Sequence, residues 1–343
     1  MLTSLELGPG GSFLSYFVKS LTSARTPPSS TGVDLTGQTA IITGGYTGLG
    51  YACAEILLKS NLSHLIITVR NETKGKEAAA KLQSVNPTTK IEVWLLDMLS
   101  YDSVQTFVQH CNKLDRIDFI ILNAGVVSGQ FTLNETTKHE ETFQVNYLST
   151  ALLTILLLPV LKSKRTVDKP SRITIVGSGL AVSAKFAERK AHSVIAAFDN
   201  PEYWAMTDRY STTKLLLLPF ISELAHYVDS SDVVVNVADP GFASNAGLDR
   251  NAPFVVKVVN GLMRALIART VEAAAWTYVD AAVVKPITTH GSWIANWVVY
   301  PFPKVLYTPE GKRAGDKLWE ETLAELEWAN VRGILSPIGK GSD

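Results

Sequence analysis

The sequence contains little cysteine, no excess of either charge and no hydrophobic run long enough to cross a membrane. Its two cysteines, Cys53 and Cys111, have no metal or redox spacing, which argues against a disulfide framework and favours a reducing compartment, the cytoplasm. Lys and Arg together number 32, as do Asp and Glu, so the formal net charge is +0. Because no overall charge attracts phosphate-rich polymers, nucleic acid is not expected as a partner.

The longest apolar segment, residues 151–161, is "ALLTILLLPVL" and contains Pro159. It is well short of the roughly 20 residues that a bilayer-spanning helix needs, and it predicts a buried helix instead. The first 20 residues have no early basic cluster, and their apolar stretch "FLSYFV" is too short for a signal-peptide core. We therefore expect no transmembrane span. Weak membrane association through "FLSYFV" or "WVVYPF" stays open.

What the sequence does have is a series of short apolar runs, each followed by a turn. Six of them begin near residues 39, 64, 91, 118, 172 and 232, with helix-compatible stretches between them. The runs do not alternate between apolar and polar residues, which is typical of strands covered on both faces. This pattern predicts an α/β protein with a single Rossmann-type, doubly wound parallel sheet and helices on both faces. Ligands bind such sheets at the carboxyl ends of the strands.

The first turn, "TGGYTGLG" at residues 43–50, is rich in glycine. Glycine permits positive φ and close approach of a ligand, and the start of the following helix presents free N–H groups to an anion. A phosphate site and a flexible surface loop are both compatible with this stretch alone. The order of the later motifs has to decide between them.

A polar pair and a serine further along the chain suggest acid–base chemistry. Tyr210 and Lys214 are four residues apart, so on a helix they share a face. An ammonium beside a phenol favours the phenolate and is expected to lower the tyrosine pKa. Ser178 follows a strand and could donate to a substrate oxygen. The alternatives are an ordinary surface Tyr/Lys pair and a serine that only shapes its turn.

In this order, the motifs resemble the short-chain dehydrogenase/reductase family over roughly Thr36 to Leu248. The resemblance rests on the glycine turn, the Asn-Ala-Gly at 123–125, the serine, the Tyr-x-x-x-Lys pair, a helix asparagine and a Pro-Gly at 240–241. It implies Asn146, Ser178, Tyr210 and Lys214 as catalytic residues, with no metal required. Asn146 would hold a proton-relaying water. A packing amide with a backbone partner is the alternative. The implied cofactor contacts are Gly44, Thr47, Gly48, Leu49, Gly50, Arg70, Asp97, Asn123, Tyr210, Lys214, Gly241 and Ser244.

The cofactor predicted from these residues is NADP(H). Enzymes of this fold that use NAD usually carry an acidic residue about 20 positions after the glycine turn, where it binds a ribose hydroxyl. Here that position is Arg70, which cannot accept such a bond but can bind a 2′-phosphate, with Thr47 and Lys74 as helpers. Asp97 resembles the family's adenine-side contact. It could instead cap the helix that starts near Ser100.

The sequence departs from the family pattern between Ser178 and Tyr210. We predict an N-terminal extension and linker over 1–35, a Rossmann domain over 36–343, an insertion at about 182–206 and a substrate-binding C-terminal part at about 242–343. The insertion is expected to form a lid whose apolar residues line the site mouth, namely Phe186, Phe198, Tyr203 and Trp204. Its charged residues should face water, namely Lys185, Glu188, Arg189 and Lys190. Pro219 is expected to kink or interrupt its helix.

The departure resembles the retinol-dehydrogenase-like branch, including fungal members that act on secondary metabolites. The predicted activity is NADP(H)-dependent hydride transfer between nicotinamide and a ketone, aldehyde or secondary alcohol. The substrate is expected to be a fairly bulky, apolar small molecule. The alternatives are a catalytically silent, NADP(H)-sensing regulator on the same fold and an NAD-linked alcohol dehydrogenase.

Overall fold

A computed structural model describes residues 2–23, 32–166, 168–242 and 269–336 of the chain. The centre of the fold is one eight-stranded sheet with the strand order β3-β2-β1-β4-β5-β6-β7-β8. Strands β1 to β7 pair in parallel, and β8 pairs antiparallel with β7. The strands are Thr39–Ile42 (β1), His64–Val69 (β2), Lys90–Leu95 (β3), Phe119–Leu122 (β4), Ser171–Val176 (β5), Val233–Ala238 (β6), Trp293–Ala295 (β7) and Val298–Tyr300 (β8).

Helices connect the strands and cover both faces of the sheet. The α-helices are Phe13–Thr22 (α1), Gly48–Lys59 (α2), Glu72–Gln83 (α3), Tyr101–Cys111 (α4), Glu141–Phe143 (α5), Ser149–Lys164 (α6), Val194–Phe198 (α7), Met206–Leu224 (α8), Val271–Val279 (α9), Pro309–Glu325 (α10) and Val331–Leu335 (α11). Two π-helical stretches, Gln144–Leu148 and Asp280–Val284, extend helices α5 and α9. Short 3₁₀ helices lie at Gly179–Ser183, Ala187–Lys190, Pro201–Tyr203, Ile287–Thr289, Lys304–Tyr307 and Glu327–Ala329.

The six predicted strands are confirmed, and the sheet is the predicted Rossmann type. Adjacent residues of one strand point into different cores, as the lack of alternation indicated. Ile41 packs in the core that contains α4, α6 and α8, whereas Ile42 packs in the core that contains α2 and α3. Strands β7 and β8 were not predicted, because three residues are too few for a strand pattern to stand out.

The apolar segment at 151–161 lies inside α6, and the helical stretch Glu141–Lys164 is long and apolar enough to cross a membrane. Its most apolar 18-residue window is 89% buried inside the protein, as expected of a core helix. One prediction about helix α8 is corrected in part. The helix runs through Pro219 to Leu224 without the predicted interruption, and its leucines are buried.

The N-terminal segment packs against the β7–β8 edge. Ser4 is fully buried, and its Oγ accepts from the backbone N of Trp293 at 2.8 Å. Gly10 N donates to the carbonyl of Phe302 at 2.8 Å. At the end of α1, Ser23 Oγ accepts from Arg269 at 3.1 Å. Residues 4–23 are therefore joined at both ends to the C-terminal part of the chain, at Trp293 in β7 and at Arg269.

The insertion packs into the body of the protein, and the predicted orientation of several of its residues was wrong. Phe186 and Phe198 are fully buried in the core, and Phe198 stacks on Phe143 with the ring centroids 4.2 Å apart. Glu188 is buried as well, where its carboxylate lies 3.2 Å from the guanidinium of Arg209. Burial of two phenylalanines stabilises this packed arrangement more than exposure at a site mouth would.

A buried histidine joins the insertion to helix α10. His139 Nδ1 lies 2.7 Å from Asp199 at the end of α7, and its Nε2 lies 3.0 Å from Glu325 at the end of α10. Burial acts to lower the pKa of His139, but the two carboxylates outweigh it and raise that pKa to about 9. The imidazolium therefore connects three segments that are far apart in sequence.

This network predicts a pH-dependent stability. The folded-state pKa of His139 lies above the unfolded value, so its contribution is complete below about pH 6.5 and is lost as the pH rises through 9. The full contribution is on the order of 3 kcal/mol. Urea unfolding at pH 6, 7.5 and 9 should show the difference between wild type and His139→Gln shrinking with pH. His192→Gln, at an exposed histidine of the insertion, is the control, and a constant difference between wild type and His139→Gln would contradict the assignment.

Candidate active site

The glycine turn between β1 and α2 forms an opening suited to an anion. Gly44 and Gly48 have positive φ values of 67° and 60°. Helix α2 begins at Gly48, and its N-cap Thr47 is exposed and makes no capping bond through its side chain. The N–H groups of the first turn, which include those of Leu49 and Gly50, have no acceptor within the helix. A pyrophosphate could therefore accept hydrogen bonds at this helix start.

Asn123, predicted as a cofactor contact, is used to build that turn. Its Nδ2 donates to the carbonyl of Thr43 at 3.0 Å and to that of Gly44 at 3.3 Å. Thr43 Oγ1 in turn accepts from the backbone N of Ala124 at 2.9 Å. A Cβ on Gly50 would lie only 2.6 Å from Asn123 Nδ2. The end of β4 therefore fixes the shape of the glycine turn.

Ser178 and Tyr210 are brought together at the end of β5. Ser178 lies two residues after that strand, and its hydroxyl is close enough to the phenol of Tyr210 on helix α8 to act on the pKa of that phenol. Ser178 Oγ also accepts from the backbone N of Leu180 at 3.2 Å, so it caps the short helix Gly179–Ser183. The catalytic and turn-shaping interpretations of Ser178 are thus both compatible with the geometry.

Lys214 lies one turn further along α8 and is buried. Its Nζ donates to the carbonyl of Val176, the last residue of β5, at 2.7 Å. A Cβ on Gly125 would lie 3.5 Å from this Nζ and 3.2 Å from Asn146 Oδ1. The third residue of the Asn-Ala-Gly motif is therefore the point where the lysine and the helix asparagine approach each other.

Asn146 lies in the π-helical stretch Gln144–Leu148 and is fully paired. Its Oδ1 accepts from Val126 N, and its Nδ2 donates to Val126 O, both at 2.9 Å. Nδ2 also lies 3.1 Å from Thr213 Oγ1. These contacts agree with the alternative that Asn146 is a packing amide with a backbone partner. The π-helical turn is a feature often found at functional sites.

The pKa values of the Tyr/Lys pair differ from the prediction. Desolvation raises the pKa of Tyr210 to about 12, although the Ser178 hydrogen bond opposes the rise. Burial lowers the pKa of Lys214 to about 8. The ammonium lies over the Tyr210 ring, 5.8 Å from its centroid, and does not donate to the phenol oxygen. The expectation that Lys214 lowers the tyrosine pKa is therefore wrong for this arrangement, because the ammonium is bonded to a strand carbonyl.

The remaining predicted cofactor residues lie along the same edge of the sheet. Arg70 directly follows β2 and is exposed, as is Lys74 in the first turn of α3. Asp97 follows β3, where its Oδ1 accepts from Leu99 N at 3.0 Å. It does not cap α4, because Ser100 does so. Gly241 follows β6 with a φ of 71°. Ser244 lies outside the described residues.

Asp239 was not predicted, although it belongs to the site. It is buried between the Ser178 turn and the Pro-Gly turn, and its Oδ1 accepts from Gly179 N at 2.9 Å and from Gly241 N at 3.0 Å. An aspartate between an apolar strand and a Pro-Gly turn is a sequence signal that could have identified it, since a carboxylate there must find donors.

A cavity of about 350 Å³ lies between the N-terminal segment, the start of the insertion and residues 303–305. Its lining is mostly small and apolar, and consists of Gly10, Gly11, Ser12, Val182, Ala184, Pro303, Lys304 and Val305.

Comparison with known proteins identifies the family of the chain. The family model for short chain dehydrogenases matches residues 38–253. The chain belongs to the short-chain dehydrogenase/reductase family. It is 47% identical over 310 residues to the short chain dehydrogenase/reductase mfmJ of Annulohypoxylon moriforme, covering 90% of both chains. It is 43% identical over 317 residues to the short chain dehydrogenase virL of Hypocrea virens, covering 92% of both. The expected resemblance to fungal members is confirmed.

Solved structures support the fold. The RhlG/NADP active-site complex of Pseudomonas aeruginosa aligns with a TM-score of 0.59 at 20% identity, over 79% of this chain and 97% of that one. An NADPH-bound short chain oxidoreductase from P. aeruginosa PAO1, described as containing an atypical catalytic center, gives 0.58 at 20% identity, over 77% and 96%. The family match, and not these likenesses at 20% identity, identifies the chain as an oxidoreductase of a family that uses a nicotinamide cofactor.

Gly50 provides a test of the turn. In Gly50→Ala, the new Cβ would meet Asn123 Nδ2 at 2.6 Å and the Gly44 carbonyl at 2.8 Å, so the turn has to open. We expect NADPH affinity, measured by fluorescence titration, to fall by at least tenfold. Gly129→Ala is the matched control, since a Cβ there meets nothing within 4 Å. Equal affinities for the two variants would show that the turn does not hold the cofactor.

Proposed function

We propose that the protein is an NADP(H)-dependent oxidoreductase that reduces the carbonyl of a fairly bulky, apolar ketone or aldehyde, or oxidises the corresponding secondary alcohol. The observation that carries this proposal is the meeting of Ser178, Tyr210 and Lys214 at the end of β5. The glycine turn lies at the same edge of the sheet, two strands away, because β4 lies between β1 and β5. A dinucleotide bound along this edge would reach both the glycine turn and the group formed by Ser178, Tyr210 and Lys214.

The bound nicotinamide would supply or accept the hydride. The protein's own groups would handle the substrate oxygen and its proton. Because its pKa is raised to about 12, Tyr210 stays protonated near neutral pH and is suited to donate a proton to a carbonyl oxygen. The Ser178 hydroxyl, which lies near that phenol, would orient the same oxygen.

Lys214 would act on the cofactor and on the electrostatics of the site. With a pKa near 8, most of its ammonium remains charged at pH 7, and it is buried within reach of the end of β5. A buried cation beside the reacting centre would stabilise negative charge that develops on the substrate oxygen. The proposed role of Asn146 is indirect, since its contacts fix the backbone at Val126 and the hydroxyl of Thr213.

The substrate class is proposed from two observations. The cavity that reaches the start of the insertion has a largely apolar lining, and the relatives mfmJ and virL are fungal short chain dehydrogenases. We propose a secondary metabolite as substrate and the cytoplasm as location, in agreement with the low cysteine content.

Tyr210 is the first test. Tyr210→Phe keeps the ring and removes the proton donor, so turnover of aromatic and aliphatic ketones with NADPH should fall at least a hundredfold, within the range typical of general acid–base groups. NADPH affinity should barely change. Tyr227→Phe, on an exposed tyrosine, controls for loss of a phenol. Near-normal turnover of Tyr210→Phe would contradict the role, and cofactor binding without any turnover by wild type would favour a silent regulator.

Arg70 tests the cofactor preference. Arg70→Asp removes a guanidinium that could bind a 2′-phosphate, which should cost roughly 1.5 to 3 kcal/mol of NADPH binding and spare NADH. The two dissociation constants can be measured by fluorescence titration. Lys113→Asp makes the same charge change at the opposite edge of the sheet, beside Thr39 and His64. Equal affinity of wild type for NADPH and NADH would exclude the preference and favour the NAD-linked alternative.

A further inference from the structure

Tyr16 is an aromatic side chain of the N-terminal helix that reaches the carboxyl edge of the sheet. It lies outside residues 38–253, the part that matches the family model. It is 5% exposed, whereas its helix neighbours Leu14 and Val18 are 69% and 50% exposed. Its ring stacks on Trp293 with centroids 5.9 Å apart and meets the edge of Tyr300 at 5.5 Å. The helix thus buries one residue, and it does so at the site.

The Tyr16 hydroxyl donates a hydrogen bond to Oδ2 of Asp239. The other oxygen of this carboxylate, Oδ1, accepts from the backbone N–H groups of Gly179 and Gly241. Three donors from three separate segments therefore converge on one buried carboxylate. Gly179 directly follows Ser178, so the carboxylate holds the turn that presents the serine hydroxyl.

The residue after Ser178 is shaped to admit Tyr16. A Cβ at position 179 would lie 2.4 Å from the Tyr16 phenol oxygen and 2.5 Å from its ring. Only glycine leaves room for the ring to approach the Ser178 turn so closely. Tyr16 is thus accommodated at two points. Position 179 has no side chain to block its ring, and Asp239 supplies an acceptor for its hydroxyl.

We propose that Tyr16 is a positioning residue of the active site, which acts through Asp239 to hold the turn that carries Ser178. The role of Ser178 rests on the proposed function, whereas the hold on the turn does not. Helix α1 is then part of the catalytic unit and not an appendage to it. Tyr16 acts on the orientation of the serine and not on the binding of the dinucleotide, whose glycine turn lies at the end of β1.

The charge on Asp239 explains why the hydroxyl matters. Burial raises the pKa of Asp239, and the bonds from Tyr16, Gly241 and Gly179, with the nearby Arg269 guanidinium, oppose that rise. A buried carboxylate that loses one donor is costly unless it reorients toward another. Because Oδ1 and Oδ2 belong to one rigid group, reorientation would weaken the bonds to Gly179 and Gly241 as well.

Hydrogen exchange followed by mass spectrometry tests the hold directly in the full-length protein without cofactor. In Tyr16→Phe, peptides that cover residues 177–183 and 239–242 should exchange at least several-fold faster than in wild type. Peptides that cover 39–50 should be unchanged. The matched control is Tyr307→Phe, which removes a phenol that donates to the carbonyls of Ser4 and Leu5 in the same N-terminal segment. Unchanged exchange at 177–183 in Tyr16→Phe, or equal acceleration in both variants, would overturn the proposal.

Turnover with NADPH and a ketone panel tests the consequence. Tyr16→Phe should lower kcat about tenfold and leave the NADPH dissociation constant within twofold of wild type. Asp239→Asn keeps an oxygen for the two N–H groups and should retain more activity than Asp239→Ala. Gly179→Ala should resemble Tyr16→Phe. A normal kcat in Tyr16→Phe would overturn the positioning role. A wild type that turns over no ketone would refute the proposed function, and the exchange data would still decide whether Tyr16 holds the turn.

Discussion

The site depends on one constraint: polar groups buried where the parallel strands end must find partners there. Asn123 satisfies the carbonyls of the glycine turn, Asn146 satisfies the backbone of Val126, and Asp239 collects the N–H groups of two turns. Each of these bonds links the end of one strand to that of another or to a covering helix. The strand ends are therefore held as one rigid edge, although the connections between them are long in sequence.

Burial also determines the charge states at this edge. Desolvation raises the pKa of Tyr210 and lowers the pKa of Lys214. The lysine pKa therefore moves toward neutral pH, whereas the tyrosine pKa moves away from it. The phenol is thereby kept as a proton donor, and the ammonium is held by the carbonyl of Val176. Acid–base roles in this site are consequently set by the depth at which helix α8 lies and not only by the four-residue spacing of the pair.

The sequence predicted the parts of this structure that rest on local patterns. Six apolar runs identified β1 to β6, and the turns after β1, β4, β5 and β6 identified the edge at which Gly44, Asn123, Ser178 and Gly241 lie. It could not predict β7 and β8, which are only three residues each. Nor could it assign Asn123 to the glycine turn. Asn123 is separated in sequence by 80 residues from Thr43 and by 79 residues from Gly44, the two residues that it contacts there.

The insertion and the N-terminal segment show why the remaining features could not be inferred. Charged residues in a long insertion are usually solvated, yet Glu188 is buried because Arg209 from helix α8 reaches it. Similarly, "FLSYFV" is an apolar stretch whose Tyr16 is buried by aromatic rings and a carboxylate more than 200 positions away. In both cases long-range partners decide the orientation of a side chain. The functional edge of this fold is therefore completed by residues whose own neighbourhood in the sequence carries no sign of it.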